Sequence, residues 1–126
     1  MKLIIGGAYQ GKTDYAIKKY RINSEEIIDG AALLDADKTG LRCVKNYQLY
    51  VKKLCESGAD SIEETKKLIA ANPEIIIIMN EIGNGIIPLE KSERIWREET
   101  GKTGCFLAEK AETVERLVCG ICTRIK

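Results

Sequence analysis

Within the opening stretch MKLIIGGAYQGKT, Gly6, Gly11, Lys12 and Thr13 follow the spacing G-x-x-x-x-G-K-T. That spacing suits phosphate for a physical reason. The glycines let successive backbone N–H groups turn inward around phosphate oxygens, and a helix opening at Lys12 adds the partial positive charge of its N-terminus. Lys12 then reaches the β- and γ-phosphates, and the Thr13 hydroxyl is offered to Mg²⁺. Gly6, Gly7, Ala8, Tyr9, Gln10, Gly11, Lys12 and Thr13 are therefore the candidate nucleotide-binding set. A dinucleotide-type G-x-G-x-x-G is absent, so the expected ligand is a nucleoside triphosphate, ATP or GTP. The competing reading is a glycine-rich turn between strand and helix that binds nothing.

Such a loop also needs a carboxylate at the end of a neighbouring strand, because Mg²⁺ favours hard oxygen ligands and usually takes one or two from the protein. Glu81, just past the apolar run 75–79, is the leading candidate for the metal and, with Lys12, for catalysis. Asp35 and Asp37 compete with it, and a solvated loop acid or helix cap is the plain alternative for each. Cysteines at 43, 55, 105, 119 and 122 form an odd set and read as reduced thiols. Cys119 and Cys122 alone have a suggestive spacing, but a redox pair wants a helix N-terminus and structural zinc wants more ligands, so packing is the expected role. The chain has no histidine.

These residues need a scaffold, and the hydrophobic pattern supplies one. Strand-like and helix-like segments alternate, as in a parallel sheet flanked by helices. The pattern predicts strands at 2–5, near 31–34, at 75–79 and at 114–119, with a final edge strand after them. Helices are expected at 12–21, 42–56 and 61–71, and from Leu89 to Ala111 with a break or kink at Gly101 and Gly104. The expected fold is a P-loop NTPase-like, RecA-like three-layer α/β sandwich with a mostly parallel central sheet, in a single nucleotide-binding domain spanning residues 1–126. Ligands of such sheets sit at the carboxyl ends of the strands, which is where both the loop and Glu81 fall.

Composition narrows the function further. The chain has 126 residues, 20 basic and 19 acidic, so there is no electrostatic footprint for nucleic acid or for an anionic membrane. No apolar run is long enough to span a bilayer and no signal-peptide core opens the chain, so a soluble cytoplasmic protein is expected.

Three separated segments carry a family resemblance: IIGGAYQGKTDYA, NEIGNGIIP and LVCGICTRIK. The chain resembles the adenosylcobinamide kinase/adenosylcobinamide-phosphate guanylyltransferase family of cobalamin biosynthesis. That family opens with G-G-x-x-S-G-K-S and later carries T-N-E-V-G-x-G-I-V-P, followed by a basic helix pattern that Pro88, Arg94, Trp96, Arg97, Glu98, Gly101 and Lys102 meet here. Gly120 to Lys126 match its ending. The resemblance covers roughly the first twenty-five residues and the last fifty. It implies phosphorylation of adenosylcobinamide by ATP or GTP with Mg²⁺, a corrinoid partner and a symmetric homo-oligomer.

The departures from the family are specific. The middle of the chain is shortened, Gln10 and Thr13 stand where the loop has serines, and Gly104-Cys105 replaces an Asn-Gln pair. The family's second reaction carries a guanylyl group on a histidine nitrogen, which this chain lacks. Lys45, Lys52 and Lys53 are the conceivable amine substitutes, and the helical pattern puts them on a solvated face. The alternative function is a nucleotide-binding or corrinoid-handling module without turnover.

Overall fold

A computed structural model describes residues 1–82 and 90–126. Among these residues the chain forms a six-stranded sheet in the order β2-β3-β4-β1-β5-β6. The strands are β1 (Lys2–Gly6), β2 (Ile27–Asp29), β3 (Cys43–Lys45), β4 (Ile76–Asn80), β5 (Thr113–Val118) and β6 (Ile121–Arg124). The first five run parallel, and β6 closes the edge antiparallel to β5. Helices α1 (Lys12–Tyr20), α2 (Gly30–Leu33), α3 (Tyr47–Ser57), α4 (Ser61–Ala71) and α5 (Lys91–Lys110) accompany the strands, with a short 3-10 turn at Ser24–Glu26. This is the mostly parallel sheet flanked by helices that the alternating pattern predicts.

The β-branched run of β4 lies between β3 and β1 and is buried on both faces, as a central parallel strand must be. Leu3, Ile77 and Met79 face one layer, where they meet Val44, Tyr47, Val51, Leu54 and Leu107. Ile4, Ile76 and Ile78 face the other, with Ala16, Ile22 and Leu117. Inside the first layer the Tyr47 hydroxyl shares a 2.8 Å hydrogen bond with Thr65.

Three expectations need correction. The segment 31–34 is not a strand. Its Ala-Ala-Leu run favours helix, and the Asp29 side chain accepts from Ala31 N at 2.9 Å, so α2 begins there and the strand is the preceding Ile27–Asp29. The expected helix 42–56 splits into β3 and α3 at Asn46, which sits at φ 53. Val44 shares a core with Tyr47, Val51 and Leu54, so a strand residue had mimicked helical spacing. Finally, α5 runs unbroken through Gly101 and Gly104. Buried Thr103 and Leu107 anchor it, and tertiary packing outweighs a glycine cost of about 1 kcal/mol each.

At the other end, β5 and β6 are joined by Cys119 and Gly120, both at positive φ as a tight two-residue hairpin requires. Cys119 is exposed there, so the packing role expected of it is not found. Cys122 instead donates its thiol to Glu115 at 3.3 Å. Gly83, Gly85 and Pro88 of the second resembling segment, and the expected helix start at Leu89, lie outside the described residues. Among those described, no helix is long and apolar enough to cross a membrane.

Candidate nucleotide site

Registers across the sheet bring the relevant residues to one edge. Gly6 pairs with Asn80 on one side and with Leu117 on the other, and Lys45 pairs with Asp29. Gly6 has no alternative at its position. A Cβ there would lie 2.6 Å from the Leu117 carbonyl oxygen, so β5 can stay paired at the root of the loop only because that atom is missing. From Gly6 the chain turns through Tyr9 (φ 59) and Gly11 (φ 85) and enters α1 at Lys12.

Lys12 is only 7% exposed, and its ammonium donates to the Gly7 carbonyl at 2.6 Å. Burial lowers its pKa below the ordinary lysine value, and the nearby Glu81 carboxylate partly offsets that. The loop is braced from outside as well. Cys119 N donates to the Gln10 side-chain oxygen, and Gly120 N donates to the Gln10 carbonyl at 3.0 Å. The departure at Gln10 therefore has a local use: its amide oxygen reaches the β5–β6 turn.

The loop faces a cavity of about 470 Å³ lined by residues 8–14 together with Lys45, Asn46, Ile78 and Asn80. Two cations and a helix N-terminus meet the single carboxylate of Asp14 there, which favours a polyanion. Behind the wall, Asn46 donates to Asp29 at 3.0 Å. Buried Gln48 accepts from Asn80 N at 2.9 Å, and its own carbonyl accepts from the Trp96 indole at 2.7 Å.

Lys45, Asn46 and Gln48 are functional candidates that the sequence reading missed or misplaced. Lys45 was expected on a solvated helix face, but it ends a strand and lines the cavity. Recognising Cys43–Lys45 as a strand would have put it at the carboxyl edge. Lys52 and Lys53 do lie on α3, where Lys52 pairs with Glu93 at 3.5 Å.

Of the carboxylates considered for a metal, Asp35 and Asp37 do not end a strand, and neither lines this cavity. Asp37 accepts from Thr39 N and Oγ1 in a local turn. Glu81 extends the edge, its N–H donating to the Gly6 carbonyl at 2.8 Å. Glu81 is not among the residues lining that cavity, and its carboxylate takes a two-pronged pair from Arg116, with Nε at 2.9 Å and a terminal nitrogen at 3.1 Å. Thr13 lines the cavity. Among the described residues no group of three metal-ligating His, Cys, Asp or Glu side chains occurs. Mg²⁺ on a nucleotide asks for fewer, taking one or two protein oxygens beside those of phosphates and water, so a threonine hydroxyl fits that demand.

No curated protein matches the chain significantly. The sequence profile described as cobinamide kinase / cobinamide phosphate guanyltransferase matches residues 30–125. The match takes in the middle of the chain, which the motif resemblance had left out, and begins after the loop. The strand-loop-helix geometry around Lys12 is thus an observation separate from the match. With more than half its length matched, the chain belongs to the cobinamide kinase / cobinamide phosphate guanyltransferase family of cobalamin biosynthesis.

Proposed function

We propose that the protein is a nucleotide-dependent phosphotransferase that moves the γ-phosphoryl group of ATP or GTP to the side-chain alcohol of adenosylcobinamide. The observation that carries this reading is the cavity in which Lys12, Thr13, Lys45 and the start of α1 converge at the carboxyl edge of a parallel sheet. Family membership supplies the acceptor class.

On this reading Lys12 exchanges the Gly7 carbonyl for β- and γ-phosphate oxygens, a short move from a pocket already shaped around its ammonium. Lys45 faces the same polyphosphate from the end of β3. Thr13, with Glu81 as the supporting carboxylate, would hold Mg²⁺, which when bound neutralises charge across the β- and γ-phosphates. The alcohol oxygen forms a bond to the γ-phosphorus while the bond to the bridging oxygen breaks; nucleoside diphosphate leaves and the alcohol proton passes to water. Positioning and charge stabilisation do most of this work.

The guanylyl half of the family's chemistry is left out, because no histidine is present to carry the group. A binding module without turnover is the second reading, and both Glu81 oxygens lying on Arg116 favour it. The deciding experiment measures phosphate transfer from ATP and from GTP to adenosylcobinamide, with triphosphate affinity read in parallel, for the wild type and Lys12→Ala. Transfer by the wild type, with affinity at least tenfold weaker in the variant, is expected. Binding without transfer would leave the module reading, and equal affinity in the two proteins would remove the loop from both.

A further inference from the structure

Tyr9 lines the nucleotide cavity, yet its side chain is fully exposed. It also holds φ 59, in the left-handed region that is uncommon for a bulky residue and free of strain for glycine. The loop explains the backbone conformation, since N–H groups between Gly7 and Gly11 must turn inward to meet phosphate. It does not explain the tyrosine. A glycine there would keep the shape of the loop, relieve the strain and leave no aromatic ring in water.

The other four tyrosines have work within the fold. Tyr47 and Tyr50 fill the core, and the Tyr15 and Tyr20 hydroxyls donate to Glu115. The other non-glycine residues at positive φ stand at structural ends: Arg21 closes α1, Asn46 opens α3 and Cys119 turns the β5–β6 hairpin. Among the described residues Tyr9 alone combines a positive φ with an exposed aromatic ring.

Its position says what the ring can meet. Gly7, two residues earlier, holds the Lys12 ammonium through its carbonyl at 2.6 Å, and that ammonium is the group that reaches β- and γ-phosphates. Lys45 and Asn80 line the same cavity from the ends of β3 and β4. The next residue, Gln10, is tied to the β5–β6 turn, so the segment that carries Tyr9 is anchored while the ring itself has no cover. A phenol hydroxyl is a neutral donor, and a charged phosphate oxygen is a strong acceptor for it.

We propose that the Tyr9 side chain folds onto the bound nucleotide and donates its hydroxyl to the terminal phosphate, so that the site distinguishes a triphosphate from a diphosphate. This rests on the nucleotide reading of the cavity. The strained, uncovered tyrosine is then the open form of a contact that only the ligand completes.

The test measures Mg²⁺-dependent binding of the β,γ-imido analogues of ATP and GTP, and of ADP and GDP, to wild type, Tyr9→Phe and Tyr9→Gly, with the thermal midpoint of each free protein. Tyr9→Phe removes only the hydroxyl. Its affinity for the triphosphate analogue should fall roughly tenfold, the low end for a hydrogen bond to a charged acceptor, while diphosphate affinity stays within about twofold of wild type. Tyr9→Gly should weaken triphosphate binding at least as much, and its midpoint should equal or exceed that of wild type, because strain is relieved and no packing is lost. Acetylation of Tyr9 by N-acetylimidazole, mapped by mass spectrometry, should proceed in the free protein and with diphosphate, and be blocked by the triphosphate analogue. Unchanged triphosphate affinity in Tyr9→Phe, an equal loss of diphosphate affinity, a lower midpoint for Tyr9→Gly, or acetylation indifferent to the triphosphate would each overturn the inference. A wild type that binds no triphosphate would instead bring down the nucleotide reading, and the Tyr9 contact with it.

Discussion

Replacing Glu115 by glutamine tests the joint that holds α1, and with it the nucleotide loop, against the sheet. Glu115 lies on β5 with 1% of its surface exposed, and its carboxylate accepts from the Tyr15 and Tyr20 hydroxyls, from Lys19 at 3.0 Å and from the Cys122 thiol. Burial alone would raise its pKa, but these hydrogen bonds outweigh burial and hold it down at about 2, against an ordinary 4.5. That gap corresponds to roughly 3 kcal/mol favouring the folded, ionised form. Glutamine has no charge for Lys19, and it turns an N–H₂ group toward donors that need acceptors. At neutral pH the variant should therefore lose roughly 3 kcal/mol, about 10 °C in melting temperature for a chain of this length.

The pH dependence gives the sharper check. Because the folded value lies below the unfolded one, this stability is complete above about pH 4.5 and is lost as pH falls toward 2. Urea unfolding followed by circular dichroism at pH 7, 4 and 2.5 should show the two proteins converging as the pH drops. A difference below about 1 kcal/mol at pH 7, or one that stays constant with pH, would refute the account of the network.

Gly6→Ala should destabilise the fold by roughly 1–3 kcal/mol and weaken triphosphate binding, because β5 must move off the new methyl group; chemical denaturation and nucleotide titration read the two effects. Incubation with radiolabelled GTP should leave no acid-labile, base-stable label on the denatured protein, since no histidine is present and lysines stay protonated near pH 7 unless desolvated. A label mapped to Lys45, the one of the three lysines considered that lines the cavity, would mean that an amine has taken over the guanylyl group.

What could be read from the sequence was what local chemistry dictates. The phosphate loop is a contiguous motif, and the unbroken Ile75–Met79 run declares a central strand without reference to any other part of the chain. Lys45 was misplaced because β3 is three residues long and its Val44 falls into the helical spacing of α3. Glu115 gave no local sign of burial, since its partners Tyr15 and Tyr20 stand 100 and 95 residues away.

The brace between Gln10 and the Cys119–Gly120 turn joins positions 109 residues apart in the chain. Its strand β1 likewise finds both sheet neighbours, β4 and β5, only in the second half of the sequence. On a ribosome the glycine loop emerges about a hundred residues before its outer support, so closure of a long segment must precede the final shape of the loop. Until then the loop is a short glycine-rich tether with no fixed wall. Affinity for triphosphate is thus a late acquisition of the folding chain, and the nucleotide acts as a ligand of the finished sheet, with little purchase on the intermediates that lead to it.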